Sequence, residues 1–231
     1  NTAGIYPAES ARYGTEVLPG VLGQIHQHLF CARLEMAVDG PDNSVLEVNT
    51  ELAPEGPDNP VGNAFYATET LLETEMAARR NANTDQNRYW KIVNPAASDQ
   101  LGRTPGYRLM PNSCITALGG TRSQLGMRGG FTRYHLWVTP TTQAERWPAG
   151  DYVNQSQAGE GLPNWVQADR SVANRPLTVW HVFGLHHQPR TEDFPVQPSV
   201  SSFMMLSPDG FFARNPTLDV PPSKSSHSCH V

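Results

Sequence analysis

Proline and glycine occur along the whole chain, and their distribution constrains the fold more than any other feature of the sequence. The 231 residues contain 20 prolines and 19 glycines, mostly in short turn clusters. Such clusters break a chain into brief segments and leave little room for long helices. In Ser44–Leu52, apolar side chains such as Leu46 and Val48 occupy every second position, as in a half-buried strand.

Five further segments are rich in aromatic, β-branched or other apolar residues and lie between turn signals: 89–93, 107–110, 134–139, 177–185 and 202–206. Together the segments predict an all-β fold, a large antiparallel β-sandwich. Because 38% of the residues are apolar, residues 1–231 can form a single domain with one large core. Segment 68–80 is compatible with helix or strand, since Thr70 and Glu73 can form a helical capping box.

Charge and hydropathy argue against two classes of partner. The 17 lysines and arginines against 22 aspartates and glutamates give a net charge of -5, and no basic run marks a nucleic-acid-binding face. No apolar stretch is long enough to cross a bilayer, so we expect a soluble chain without a membrane partner. The sequence leaves the compartment undecided between secreted, peroxisomal and cytosolic.

The chain has three cysteines, Cys31, Cys114 and Cys229, which are too few for a disulfide framework. They have no CxxC spacing, so a zinc ribbon or a redox motif is not indicated. Their disulfide state stays open at this point. Cys229 lies in the polar tail, where a frayed free thiol is the simplest expectation.

The most informative residues are His26 and His28, which flank Gln27 in a strand-like segment. Positions i and i+2 of a strand point to the same face, so the two imidazoles come together. Neutral imidazole is a good ligand for copper and zinc, and a strand pair usually needs a third protein ligand. The pair therefore predicts a metal site, with a surface or hydrogen-bonded histidine pair as the alternative.

A second histidine cluster lies in the strand-like segment 180–187. His187 shares a strand face with His181, whereas His186 points to the opposite side. A distant strand of one sheet can bring His187 to the first pair, while His181 is expected to be a hydrogen-bonded sheet histidine. Three histidines do not select the metal, because a zinc hydrolase uses the same ligands with a water in the fourth position.

The charged residues after this cluster include Arg190, Glu192 and Asp193. Adjacent side chains on an extended chain face opposite ways, so Glu192 and Asp193 do not predict a carboxylate dyad. A structural ion pair with Arg190 is the expected role.

The segment His26-Gln27-His28-Leu29-Phe30-Cys31-Ala32-Arg33-Leu34-Glu35-Met36 resembles the copper-binding strand of the copper amine oxidase family. Further stretches agree in the same order: Gly62-Asn63-Ala64-Phe65, Gly106-Tyr107-Arg108-Leu109, Leu136-Trp137-Val138-Thr139, Gly150-Asp151-Tyr152-Val153-Asn154-Gln155, the late His-x-Pro-Arg-x-Glu-Asp-x-Pro run, and the tail from Gly210 to Pro221. The resemblance covers nearly the whole chain from about Val17 onward.

The resemblance implies that His26, His28 and His187 are copper ligands. It also implies oxidation of a primary amine by O2 to an aldehyde, ammonia and hydrogen peroxide. In that reaction a topaquinone, formed from a protein tyrosine, reacts with the amine, and an aspartate acts as the base. In the family, both of these residues lie upstream of the HxH strand, the tyrosine in an Asn-Tyr-Asp/Glu motif. Tyr6 and Tyr13 lack these neighbours, so we assign no catalytic residue to this chain.

Several statements about the whole protein follow from the resemblance. Residues 1–231 would be the C-terminal, copper-binding portion of the catalytic β-sandwich domain, with the quinone-bearing part and N-terminal domains upstream. The family implies a homodimer with extended hairpin arms, and segment 68–80 would be strand in or near an arm. A non-catalytic copper-binding sandwich that lacks the quinone segment is the alternative.

This sequence departs from the family pattern at a few positions. His186 stands where the family usually has threonine, and Gln197 stands where methionine is common. Many members bind a peripheral calcium through two aspartates, but the corresponding positions hold Glu35 and Pro176. We therefore do not expect this calcium site, although Glu35 can still supply one oxygen.

Overall fold

The computed structural model describes residues 12–152 and 158–222, and in these ranges the chain is built mainly of antiparallel strands. The strands are β1 (Gly14–Leu18), β2 (Val21–Gln24), β3 (His26–Met36), β4 (Ser44–Leu52), β5 (Phe65–Leu71), β6 (Tyr89–Val93), β7 (Gly106–Met110), β8 (Leu136–Pro140), β9 (Leu177–His187) and β10 (Met205–Asp209). The described α-helices are α1 (Gln124–Arg128) and α2 (Leu162–Trp165), and 3-10 turns cover Gly130–Arg133, Val166–Ala168, Thr191–Asp193 and Pro216–Asp219. None of these helices is long and apolar enough to span a membrane.

Two of the three described antiparallel sheets pack face to face around a core, and β1 with β2 forms the third. The five-stranded sheet has the order β10-β7-β6-β4-β5, and the three-stranded sheet has the order β3-β9-β8. The core between them combines Trp90, Ile92 and Leu109 of the first sheet with Leu136 and Val179 of the second, all of them fully buried. This arrangement confirms the predicted antiparallel β-sandwich.

Strand β9 is buried on both faces, and this fixes its register against β3. One face contributes Val179 to the core between the sheets, and the other packs Trp180 and Val182 against helix α2. The ladder between β3 and β9 runs for 11 residue pairs without a bulge. Gly184 allows the two strands to approach, since a Cβ at this position would clash with the carbonyl oxygen of His28.

The structure decides between the two interpretations of segment 68–80 in favour of strand for its first part: Thr68 to Leu71 complete strand β5, which pairs with β4, and the remaining residues form turns with isolated bridges at Thr74 and Arg80. The possible capping box does not form because Thr70 lies inside the strand, and Thr74 accepts a bond from the backbone of Ala77. The last predicted strand is shifted, since β10 begins at Met205 to pair with β7.

The hairpin of β4 and β5 extends beyond the sheet that carries it. Strand β6 pairs with β4 only as far as Val48, whereas β5 pairs with β4 up to Leu52. Near the tip of the hairpin, Leu52 and Phe65 are 69% and 72% exposed. The segment before β6 continues along β4, since the N–H of Thr50 donates to the carbonyl of Gln86. The hairpin is therefore two-stranded only at its end beyond Thr50, where large apolar side chains are exposed.

The described cysteines, Cys31 and Cys114, are free thiols. Burial raises the pKa of each to about 12, so both stay protonated at neutral pH. Cys229 lies outside the described residues.

A buried carboxylate joins the five-stranded sheet to the turn after β5. Glu47 is 1% exposed and accepts bonds from Arg80 and from the indole nitrogen of Trp90, while Arg88 lies 3.4 Å away. Burial alone would raise the pKa of Glu47, but the hydrogen bonds and charge of Arg80, with the charge of Arg88, lower it overall. The ionised carboxylate therefore contributes to folding stability.

We expect Glu47→Ala to reduce the free energy of unfolding by about 3 kcal/mol, because it leaves two arginines without their buried partner. The exposed Glu69→Ala is the matched control and should change stability by less than about 0.5 kcal/mol. Thermal unfolding of the full-length polypeptide at several pH values measures both. Since the folded pKa lies below the ordinary 4.5, the effect of Glu47→Ala should be full above pH 4.5 and decrease in more acidic solution. An effect that persists unchanged in strong acid would contradict this assignment.

Candidate metal centre

Three imidazole rings converge at the end of the β3–β9 ladder. His26 and His28 lie on the same face of β3, and His187 is the direct cross-strand partner of His26. The Nε2 atoms of His26 and His28 are 3.0 Å apart, and Nδ1 of His187 is 3.3 Å from Nε2 of His26. Ligand atoms from all three residues lie within 4.8 Å of one another.

His26 and His187 each make a hydrogen bond on the side of the ring that faces away from the centre, and this bond determines which ring nitrogen is protonated. Nδ1 of His26 lies 2.7 Å from the carbonyl oxygen of Gln24, and Nε2 of His187 lies 3.2 Å from a carboxylate oxygen of Asp193. Both partners are acceptors, so these ring nitrogens carry the protons and the inward nitrogens carry lone pairs. Lone pairs that converge at such distances suit a cation, and imidazole nitrogen suits copper or zinc.

Burial and neighbouring charge favour the neutral form of His28. The pKa of His28 is lowered, first by burial and then by the positive charges that His26 and His187 would carry. His187 itself is 7% exposed. A neutral imidazole can bind a metal without first losing a proton.

Asp193 orients His187 from outside the centre. Its carboxylate accepts bonds from the guanidinium and the backbone N–H of Arg190, and these bonds lower the pKa of Asp193 to about 2. The ion pair between Arg190 and Asp193 is the one expected from the sequence. The bond from Asp193 to His187 was not predicted, because Asp193 reaches back over a turn of six residues. A carboxylate that holds a ligating histidine is a common feature of metal sites.

The other histidines of the second cluster lie where the strand periodicity predicts. His186 is exposed on the opposite face of β9. His181 is fully buried and donates from Nδ1 to the carbonyl of His135, and burial lowers its pKa to about 4. It is a neutral sheet histidine, as expected. His227 and His230 lie outside the described residues.

A polar amide lies beside the third histidine. Nε2 of Gln197 is 3.3 Å from Nδ1 of His187, at the position where the family commonly has methionine. A cavity of about 610 Å³ lies mainly on the outer face of the β3–β9 ladder, where Gln27, Leu29 and His186 line it, and of the three clustered histidines only His26 borders it. Tyr13 also lines this cavity and is 70% exposed.

The fold and the three imidazoles define a β-sandwich protein with a three-histidine group that fits a metal site. The model of the copper amine oxidase enzyme domain matches residues 1–227, and the chain belongs to this family. The structure also resembles a copper-containing benzylamine oxidase from Hansenula polymorpha, with a TM-score of 0.83 and 32% identity over 90% of this chain and 33% of that one.

Two curated relatives show the extent of the similarity. A histamine oxidase of Arthrobacter globiformis is 43% identical over 221 residues, which cover 96% of this chain and 32% of the relative. A primary amine oxidase of Arthrobacter sp. (strain P1) is 41% identical over 228 residues, which cover 98% of this chain and 35% of the relative. The chain therefore spans about a third of the length of the curated relatives it matches. A chain of this family is expected to use copper, and the three-histidine group fits a metal site.

We expect Asp193→Asn to weaken copper binding by the full-length polypeptide about 10-fold to 100-fold, because the third histidine loses its orienting carboxylate. Glu192→Gln is the matched control, since it removes one negative charge at the adjacent, exposed position. Competition with a chelator of known affinity measures both variants. Equal losses in the two variants would indicate a general charge effect instead of orientation of His187.

Proposed function

We propose that the polypeptide containing this chain oxidises primary amines with O2 to aldehyde, ammonia and hydrogen peroxide, and that this chain supplies the copper site. His26, His28 and His187 are the proposed ligands. The observation that carries the proposal is the convergence of their nitrogens, with protons held on the outward sides of His26 and His187. Membership of the copper amine oxidase family supports copper over zinc.

The described residues have distinct tasks at this centre. Nε2 of His26 and Nδ1 of His187 would bind copper, because the carbonyl of Gln24 and the carboxylate of Asp193 hold the opposite nitrogens protonated. Arg190 holds Asp193 in place and ionised. When bound, copper would promote the oxidation of a protein tyrosine by O2 to topaquinone, the group that reacts with the amine.

We assign residues 1–231 to the C-terminal part of the catalytic domain, with the quinone tyrosine and the catalytic aspartate outside this chain. Two observations support this assignment. The chain spans about a third of the length of its curated relatives, and neither Tyr6 nor Tyr13 has the sequence neighbours of a quinone precursor. The names of the relatives include histamine oxidase and diamine oxidase, which supports amines as the substrate class.

We expect the full-length polypeptide to contain copper and to form a coloured adduct with phenylhydrazine, which reacts with a quinone carbonyl. His187→Ala should lose most of the copper and the adduct, because the remaining pair cannot hold the metal tightly. His227→Ala, in the C-terminal tail, is the control and should keep both. Copper without an adduct in the unaltered protein would favour a non-catalytic copper protein, and zinc with no peroxide production would favour a hydrolase.

We also propose a homodimer in which the hairpin of β4 and β5 is one of the arms. Its projection beyond β6 and the exposure of Leu52 and Phe65 support this role, because large apolar side chains at a projecting tip suit a protein interface.

The double variant Leu52→Ser, Phe65→Ser should shift the full-length polypeptide from dimer toward monomer, because it removes the apolar surface of the arm tip. Sedimentation analysis over a range of protein concentrations measures this shift. Leu101→Ser is the control, since Leu101 is 74% exposed on a different loop. A dimer of undiminished strength in the double variant would exclude this arm from the interface.

A further inference from the structure

The residue between the first two proposed ligands makes an unusual set of contacts. Gln27 points away from the metal centre, because side chains alternate along β3. Its Oε1 accepts a bond from the backbone N–H of Leu118 at 2.7 Å, and its Nε2 donates to the carbonyl of Thr116 at 2.8 Å. Both ends of the amide are therefore bonded to one loop, 89 to 91 residues away in sequence.

The hydrogen-bond partners fix the orientation of this amide. A reversed amide would set its nitrogen against the N–H of Leu118 and its oxygen against the carbonyl of Thr116. In the observed orientation, Nε2 also lies 3.3 Å from Nδ1 of His186, its cross-strand partner on β9. Gln27 thus contacts both the strand of the third ligand and the loop.

The loop segment of residues 113–118, here called the strap, is anchored to β9 at its other end. The N–H of Gly184 donates to the carbonyl of Ser113 at 2.9 Å, on the edge of β9 that faces away from β3. Within the strap, the carbonyl of Ile115 lies 3.1 Å from Nε2 of His135. The strap therefore crosses from the far edge of β9 to the outer face of β3, where Gln27 binds it.

The position of Gln27 in the ladder strengthens this link. The N–H groups of Val182 and Gly184 donate away from β3, to His135 and Ser113. Val182 and Gly184 therefore belong to non-hydrogen-bonded pairs of the β3–β9 ladder. Because such pairs occur at every second position, the pair of Gln27 and His186 is also non-hydrogen-bonded. Side chains of such pairs lie closest together, so the amide bridges β3 and β9 where the backbone does not.

We propose that Gln27 is a positioning residue for the metal centre, and that the strap and His186 hold it. By tying the outer face of β3 to β9 between His26 and His28, it fixes both rings relative to His187. The amide touches none of the proposed ligand rings, so its effect on the metal is transmitted through the backbone of β3. The inference rests on the proposed copper site.

Gln27→Leu in the full-length polypeptide tests this inference, because leucine has a similar size and no hydrogen-bonding group. We expect the dissociation constant for Cu(II), measured by chelator competition, to rise about tenfold, and the Cu(II) electron paramagnetic resonance spectrum to broaden or shift. Gln27→Glu keeps the acceptor for Leu118 but loses the donor, and we expect a smaller change in both measurements. Gln167→Leu is the matched control, since Gln167 donates one exposed bond to the carbonyl of Pro163.

The outcomes separate the inference from the function on which it rests. An unaltered Cu(II) affinity and paramagnetic resonance spectrum in both Gln27 variants would overturn the positioning role. A loss of thermal stability without a change in either copper measurement would also overturn it, because Gln27 would then stabilise the fold only. Should Gln27→Leu fail to fold, the Cu(II) affinity and spectrum of Gln27→Glu provide the test: a change in both supports the positioning role, and no change overturns it. Absence of copper from the unaltered protein would overturn the proposed function and the inference together.

Discussion

The pairing of β3 with β9 is the interaction on which the rest of the structure depends. It places His26 opposite His187, and it sets residues of both strands into the core between the sheets. A register slip of one residue would turn every side chain of one strand to the opposite face and separate the three histidines. The burial of β9 on both faces makes such a slip costly, because Trp180 and Val182 would exchange places with core residues.

The same ladder connects the apolar core to the polar centre. Along the inner face, His181 stacks on Phe183 and Phe183 packs against Phe30, so aromatic rings separate the core from the metal ligands. Burial keeps His181 neutral, and His187 is the residue of the second cluster that joins the three-histidine group. Around the centre, the carbonyl of Gln24 accepts a bond from His26 and the carboxylate of Asp193 accepts one from His187. On the outer face of β3, Gln27 donates to the carbonyl of Thr116.

The sequence predicts those features that depend on local periodicity. A period of two places His26 and His28 on one face, assigns His187 and His186 to opposite faces, and predicts most strands of the sandwich. The ion pair of Arg190 with Asp193 also follows from short-range arguments. The histidine faces and the strand positions are confirmed because alternation along a strand is independent of the neighbours that the strand acquires. Strand β4 is an exception in burial, since Glu47 on its polar side is 1% exposed whereas Leu52 on its apolar side is 69% exposed.

Features that depend on distant contacts could not be predicted from the residues alone. The sequence allowed a distant strand to bring His187 to the first pair, but not the register that sets it directly opposite His26, 161 residues away. The strap likewise reaches Gln27 across about 90 residues. Segment 68–80 has helical propensity, but pairing with β4 and the turn at Thr74 prevail over it. The bond from Asp193 to His187 depends on the conformation of the intervening turn, for which the sequence carries no simple signal.

The central claim is that one metal ion binds these three imidazoles, and a crystal structure of the copper-loaded, full-length protein with anomalous data at the copper edge tests it most directly. We predict one copper peak bonded to Nε2 of His26, Nε2 of His28 and Nδ1 of His187, with Asp193 still on the opposite nitrogen of His187. A peak elsewhere, or copper bonded to Nε2 of His187, would contradict it.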